Sequence, residues 1–176
     1  YGLSIFLLPL EEISQKIKEN VWIKKIQLSI NYKNNLIINV VEYSPLGLFN
    51  FNDKLFYFDS TGNIIEEYLQ NNLEQENLII FSGNLSNKKA TEIMKIINQF
   101  DNKFIKFISK INLIKKRRWN ILLKNNIVLK LSEDNPYNSI ENYNKIVKNL
   151  SEVQINNIVS VDLRNLNKSI IKYKND

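Results

Sequence analysis

Apolar positions along the chain recur with two periods, and the switches between them mark the elements. Leu10, Ile13 and Ile17 fall at helical spacing behind Pro9, a residue suited to a first helical turn. Glu11 and Glu12 complement the positive end of such a helix, so residues 9–20 predict a short amphipathic helix. Trp22, Ile26, Leu28 and Ile30 then alternate on one face, with Lys24 the exception. After a polar turn over 32–35, Leu36, Ile38 and Val40 alternate again up to Glu42-Tyr43-Ser44-Pro45. Helix, strand, turn and strand predict an α+β module over residues 1–44, small for independent stability.

Beyond Pro45 the pattern is mostly of period two. Short strands are expected over 46–51, 55–59 and 63–66, then a polar, acidic loop over 67–77. The apolar run 78–81 reads as a buried strand stopped by Ser82-Gly83. Ser86 is a good N-cap for a helix over 87–100, where Ala90, Ile93, Met94 and Ile97 follow i, i+3, i+4, i+7. Residues 103–113 read as a strand, as do 118–123 and 127–131, the last two joined by a tight turn at Asn125-Asn126. Pro136 opens a second helix with Ile140, Tyr143, Val147 and Leu150 on one stripe, and strands over 157–163 and 169–173 close the chain. Residues 45–176 thus predict a mainly antiparallel β domain with two helices. Trp22 and Trp119 are expected in the core.

Composition narrows the chemistry. The 176 residues contain 29 Asn, 27 Ile, 21 Lys and one alanine, Ala90, a skew toward A- and T-rich codons that makes surface Lys and Asn weak functional signals. With no Cys and no His there are no disulfides, no thiolate or Ser-His nucleophiles, and no zinc sites built from those ligands. A formal charge of +6 permits an acidic partner. No run approaches the ~20 apolar residues of a membrane span. The chain starts at Tyr1, so it is expected to be part of a longer protein.

Enzyme signals are weak. Ser60-Thr61-Gly62-Asn63 is a turn rather than a phosphate loop, and nothing in the sequence brings Asp59, Glu133 and Asp162 together. Lys103, Lys106, Lys110, Lys115, Lys116, Arg117, Arg118, Lys124 and Lys130 interleave with Phe104, Phe107 and Trp119. Such a mixture suits nucleic-acid binding, but two adjacent strands with lysines on the wet face account for it more simply. Asp162 and Arg164 share a strand face, as a binding pair or as an exposed ion pair. The β-prone segment 169–173 ends the chain. It stands either at a sheet edge, offering backbone groups that another chain can complete, or paired on both sides.

These segments together resemble the extracytoplasmic part of the FtsQ/DivIB bacterial cell-division proteins, nearly end to end. Asn20-Val21-Trp22-Ile23 and the run from Leu36 to Pro45 are similar to the signature that ends the family's POTRA domain. Asp59-Ser60-Thr61-Gly62 matches its hairpin, Leu78 to Gly83 its next strand, Arg117-Arg118-Trp119 with Leu123 its "RRW" strand, and Val161-Asp162-Leu163-Arg164 its "DLR" motif. The last two point to the α-proteobacterial type. Val21, Tyr43 and Asn126 depart from the family's usual Pro, Arg and Gly.

The resemblance implies a truncated POTRA module (a helix plus β-hairpin) over 1–44 and an FtsQ-type β domain over 45–176. It also implies an N-terminal membrane helix upstream, a periplasmic location for this region, and no catalysis, cofactor or nucleic-acid partner. The partners implied are FtsB-like and FtsL-like division proteins and other divisome components. The contact surface implied is the last strand with its approach: Arg164, Asn165, Asn167, Ser169, Ile171, Lys172 and Tyr173. Other expectations are a POTRA protein of outer-membrane assembly or secretion, and a basic nucleic-acid-binding module.

Overall fold

A computed structural model describes residues 7–31, 33, 35–69 and 78–174. The chain divides into two compact units, Tyr1–Pro45 and Leu46–Asp176. In the first, α1 (Leu10–Lys18) has Glu11 and Glu12 in its first turn and Lys16 and Lys18 in its last, both matched to the helix dipole. It packs on β1 (Ile23–Ile30), which pairs antiparallel with β2 (Leu36–Glu42). Lys24 breaks the alternation because it is the extra residue of a β-bulge: the register steps from Ile23↔Glu42 to Lys25↔Val41. Its ammonium lies 5.7 Å from the centre of the Tyr43 ring. In the turn, Asn31 Oδ1 accepts hydrogen bonds from the Lys33 and Asn35 N–H groups at 2.9 and 3.0 Å. The sequence places Trp22 in a core, but it is half-buried, and no described residue of this unit is fully buried. One nine-residue helix packs on β1, and Ile37, Ile38, Val40 and Val41 of β2 remain exposed.

The second unit is one sheet of nine strands in the order β11-β10-β9-β8-β7-β6-β3-β4-β5. In chain order these are β3 (Gly47–Phe51), β4 (Lys54–Phe58), β5 (Ile64–Glu67), β6 (Ile80–Ser82), β7 (Ile108–Ile114), β8 (Arg118–Leu123), β9 (Val128–Leu131), β10 (Ile158–Leu163) and β11 (Ile170–Tyr173). Five of the eight pairings are antiparallel; β3–β6, β6–β7 and β9–β10 are parallel. One in-register row crosses eight strands: Ile171, Val161, Leu129, Ile121, Ile111, Phe81, Phe49 and Phe56. On that face lie α2 (Ser86–Ile97), against β6, and α4 (Pro136–Lys148), against β9, β10 and α2. Ala90, Ile93 and Ile97 of α2, Ile140 and Tyr143 of α4, and Trp119 of β8 are buried there. The predicted helix, hairpin and mainly antiparallel sheet are all present.

Local chemistry explains where elements begin and end. Residues 103–113 are not one strand, as the sequence reading has it. Asp101 Oδ1 accepts from the Lys103 N–H at 2.9 Å and caps α3 (Asn102–Phe107), so the strand starts only at Ile108. A fourth helix of this unit, α5 (Glu152–Asn156), opens on a Ser151/Gln154 capping box, a sequence signal available but unread. Ser86 is not the cap of α2. Leu85 holds that position in the left-handed region (φ 66°), and Ser86 is the first, buried helical residue. Asn126 takes φ +67° in the β8–β9 turn, where the resembled family has Gly; Asn tolerates that conformation better than most residues. The loop expected over 67–77 begins after β5, and residues 70–77 lie outside the described residues.

Gly83 ends β6 at φ +96°, and a Cβ there would lie 2.2 Å from the Leu113 carbonyl oxygen. Both the dihedral and the close approach exclude a side chain. Gly83→Ala is expected to cost about 2 kcal/mol or more, seen as a lower urea midpoint with an unchanged slope; an unchanged midpoint would refute this account of the turn.

Candidate partner interface

The sequence leaves β11 either central or at an edge, and the structure puts it at the edge: β10 is its one neighbour among the described residues. The register steps from Ile158↔Tyr173 to Ser160↔Lys172, so the extra residue sits in β10 and β11 itself is regular. The Lys174 N–H donates to the Asn157 carbonyl at 2.9 Å. Backbone groups alternate sides along a regular antiparallel strand, so the N–H groups of Lys172 and Ile170 face β10 and that of Ile171 faces outward. Side chains alternate too. Ile171 and Tyr173 pack against the core, whereas Lys172 is exposed and Ile170 is 58% exposed.

The approach to this strand is held by α4. Ser139, fully buried, donates from Oγ to the Leu163 carbonyl at 3.1 Å and accepts the Ser132 N–H at 2.9 Å. Asn142 Nδ2 donates to the Leu166 carbonyl at 3.1 Å. Within the connection, Asn165 Oδ1 accepts from the Asn167 N–H at 3.0 Å, and the Lys168 N–H donates to the Asn165 carbonyl at 3.2 Å. Arg164, Asn165 and Asn167 are therefore exposed on a turn of defined shape, and Ser169 leads half-buried into β11. The seven sequence-derived residues do not share one face: Arg164, Asn165, Asn167 and Lys172 are exposed, whereas the Ile171 and Tyr173 side chains turn to the core. Sequence reasoning missed Ile170, the most exposed apolar side chain of β11. Alternation puts Ile170 on the face of Lys168 and Lys172, opposite Ile171 and Tyr173.

Arg164 Nε donates to both Asp162 oxygens, at 2.7 and 2.9 Å, and Nη2 to Oδ2. These hydrogen bonds hold the Asp162 carboxyl below the usual carboxylate range, against a smaller opposing effect of burial; Lys130, directly across on β9, adds a favourable charge. The other carboxylates have structural partners of their own. Buried Asp59 accepts through Oδ1 from the Thr61 N–H and hydroxyl and the Asn63 N–H at 2.9, 2.6 and 3.0 Å, closing the β4–β5 turn. Glu133 lies 3.3 Å from Arg117 Nε.

The basic stretch does not form one surface. Phe104 and Trp119 are buried, and its cations are spread over α3, three strands and two turns. Among the described residues, no group of three or more His, Cys, Asp or Glu is placed to hold a metal.

A carboxyl whose folded pKa is depressed stabilises the fold above its unfolded pKa of about 3.9, and that contribution is lost as pH falls through the folded value. Asp162→Asn is therefore expected to flatten the acid limb of the stability-against-pH curve below about pH 4. An acid limb identical to that of the unmodified protein would show that the Arg164 pair is not coupled to folding.

Comparison with known proteins identifies the family. The profile of the FtsQ-type POTRA domain matches residues 1–43, and that of "Cell division protein FtsQ/DivIB, C-terminal" matches residues 49–164, more than half of the chain. Cell division protein FtsQ of Rickettsia typhi is 29% identical over 169 residues, covering 96% of this chain and 62% of its own length. The FtsQ of Bradyrhizobium diazoefficiens is 21% identical over 174 residues, covering 98% of this chain and 49% of its own. The chain therefore spans less than two thirds of these relatives. A solved extracytoplasmic domain of DivIB from Geobacillus stearothermophilus aligns over 63% of this chain and 99% of its own, at 11% identity and a TM-score of 0.40. On the two profile matches and the relatives that span nearly all of it, the chain belongs to the FtsQ/DivIB family of cell division proteins.

Proposed function

We propose that this chain is a non-catalytic scaffold of the division machinery that binds FtsB-like and FtsL-like proteins by adding their strand to β11. In this reading a single upstream helix anchors the protein in the bacterial inner membrane, with the present region in the periplasm. The scaffold links early to late division proteins at the septum. The observation that carries the docking mode is the regular edge strand with the Ile171 N–H turned outward. An added strand gains affinity from backbone hydrogen bonds and specificity from alternate side chains. Ile170 and Lys172 offer an apolar and a cationic contact on one face, and Lys168 and Lys174 flank them, which favours an acidic partner segment. Arg164, Asn165, Asn167 and Ser169 extend the surface along the turn. Ile171 and Tyr173 shape it from below, their side chains packed against the core.

Proline is tolerated on an edge strand where the lost N–H faces outward. Ile171→Pro is therefore expected to retain its circular dichroism spectrum yet lose capture of FtsB-like and FtsL-like ectodomains. Lys172→Glu is expected to slow association and to reduce its salt dependence, with little change in dissociation. Asn variants of Asp59, Glu133 and Asp162 are expected to complement cell division whenever they fold. Wild-type affinity in folded Ile171→Pro would sink the strand-addition mode, and loss of complementation by a folded, partner-binding Asp59→Asn would reopen catalysis.

A further inference from the structure

A recess lies between α3, α4, α5 and the β8–β9 turn. It has a volume of about 280 Å³ and is walled by Phe104, Phe107, Leu123, Tyr143, Val147 and Ile155. That is at the lower end of the size of small-molecule sites, and right for one or two side chains rather than a cofactor. Its floor is rigid: Leu123, Phe104 and Tyr143 are each under a tenth exposed, and the Phe104 ring centre lies 6.0 Å from that of Phe100 and 6.5 Å from that of Tyr143. Its lip is not buried, because Phe107 is 58% exposed. Phe107 thus presents a largely exposed aromatic ring beside an apolar recess.

Several wall residues of the recess have a lysine beside them in the chain. Lys103 and Lys106 adjoin Phe104 and Phe107 on α3. Lys124 lies between Leu123 and Asn125, and its N–H donates to the Phe107 carbonyl at 2.7 Å. Lys148 follows Val147 and stands one helical turn beyond Asn144, another wall residue. All four are exposed, and none is in a salt bridge among the described residues. The acids nearby are Asp101, whose side chain caps α3, and Glu152 in the first turn of α5. The cations outnumber them two to one, without carboxylate partners of their own.

We propose that this recess is a second protein-docking site, one that takes a single aromatic side chain from an acidic peptide segment. The aromatic ring fills the recess against Phe107 and Tyr143, as interface anchors fill central desolvated pockets. The carboxylates on either side of it meet Lys103, Lys106, Lys124 and Lys148, which sets orientation and speeds association. The recess shares no lining residue with β11, and the proposal does not depend on the strand-addition reading.

The probe is a set of fluorescein-labelled peptides with Trp, Phe, Leu or Ala at the centre and two Glu on each side, titrated against the chain by fluorescence anisotropy. The Trp and Phe peptides are expected to bind at least tenfold more tightly than the Ala peptide, and more weakly as salt rises. Phe107→Ala, which alters an exposed side chain, and the recess-filling Asn144→Trp are each expected to weaken Trp-peptide binding at least tenfold. The pair Lys103→Glu with Lys124→Glu is expected to do the same while reducing the salt dependence. Ile171→Pro is expected to leave the peptide affinity unchanged. Equal affinity for the Trp and Ala peptides would overturn the proposal. So would wild-type Trp-peptide affinity in folded Phe107→Ala and Asn144→Trp variants.

Discussion

The second unit depends on one continuous row of apolar side chains, from Ile171 through Val161, Leu129, Ile121, Ile111 and Phe81 to Phe49 and Phe56, in register across eight strands. Side chains alternate at period two, so a one-residue slip in any pairing would turn that strand's core residues to the opposite face. The row ties together seven of the eight registers, and α2 and α4 lie over its face. The opposite face can then vary. The next in-register row reads Asp162, Lys130, Asn120, Asn112, Ser82 and Asn50, polar on the six strands from β10 to β3, and ends on Ile170 of β11 and Leu55 of β4.

The same constraint decides what the ends of the sheet can do. A sheet with helices on one face still has two open edges, and edges of this kind are normally short, charged or covered. β11 is four residues long and bears Lys172, with Lys168 before it and Lys174 after it, so it resists indiscriminate pairing while keeping an outward N–H at Ile171. Its position is set from behind. The buried Ser139 and the half-buried Asn142 of α4 bond to carbonyls of the 163–166 segment, so the helix that covers the core also aims the strand. With α4, the short helices α3 and α5 leave a recess whose walls are mostly apolar and whose neighbours in the chain include exposed lysines.

The first unit obeys different economics of burial. A nine-residue helix on two strands has no fully buried described residue, and the β2 side chains stand in water on both faces. Its order comes from local devices instead: charges matched to the dipole of α1, the bulge at Lys24, and the Asn31 side chain that braces the turn. Such devices each contribute on the order of 1 kcal/mol or less. The contrast between the two units is one of sheet size and helix cover.

Most element types were legible in the sequence because periodicity and punctuation report them directly. Leu10, Ile13 and Ile17 gave α1, the alternation from Arg118 to Leu131 gave the β8–β9 hairpin, and Pro136 gave the start of α4. The family signature was legible too, since Trp22, Gly62, Arg118-Trp119 and Asp162-Leu163-Arg164 occur in a fixed order. Reading 103–113 as one strand failed because residues 102–107 form a helix behind the Asp101 cap, which accepts the Lys103 N–H. Other features had no local signal. The parallel pairings of β6 with β3 and β7, the edge position of β11, and the meeting of Phe107 with Tyr143 and Ile155 join residues dozens of positions apart. Local sequence determines what each segment prefers to be. Which segments become neighbours is decided only by the shared burial of one apolar face, and so were both surfaces proposed here for binding.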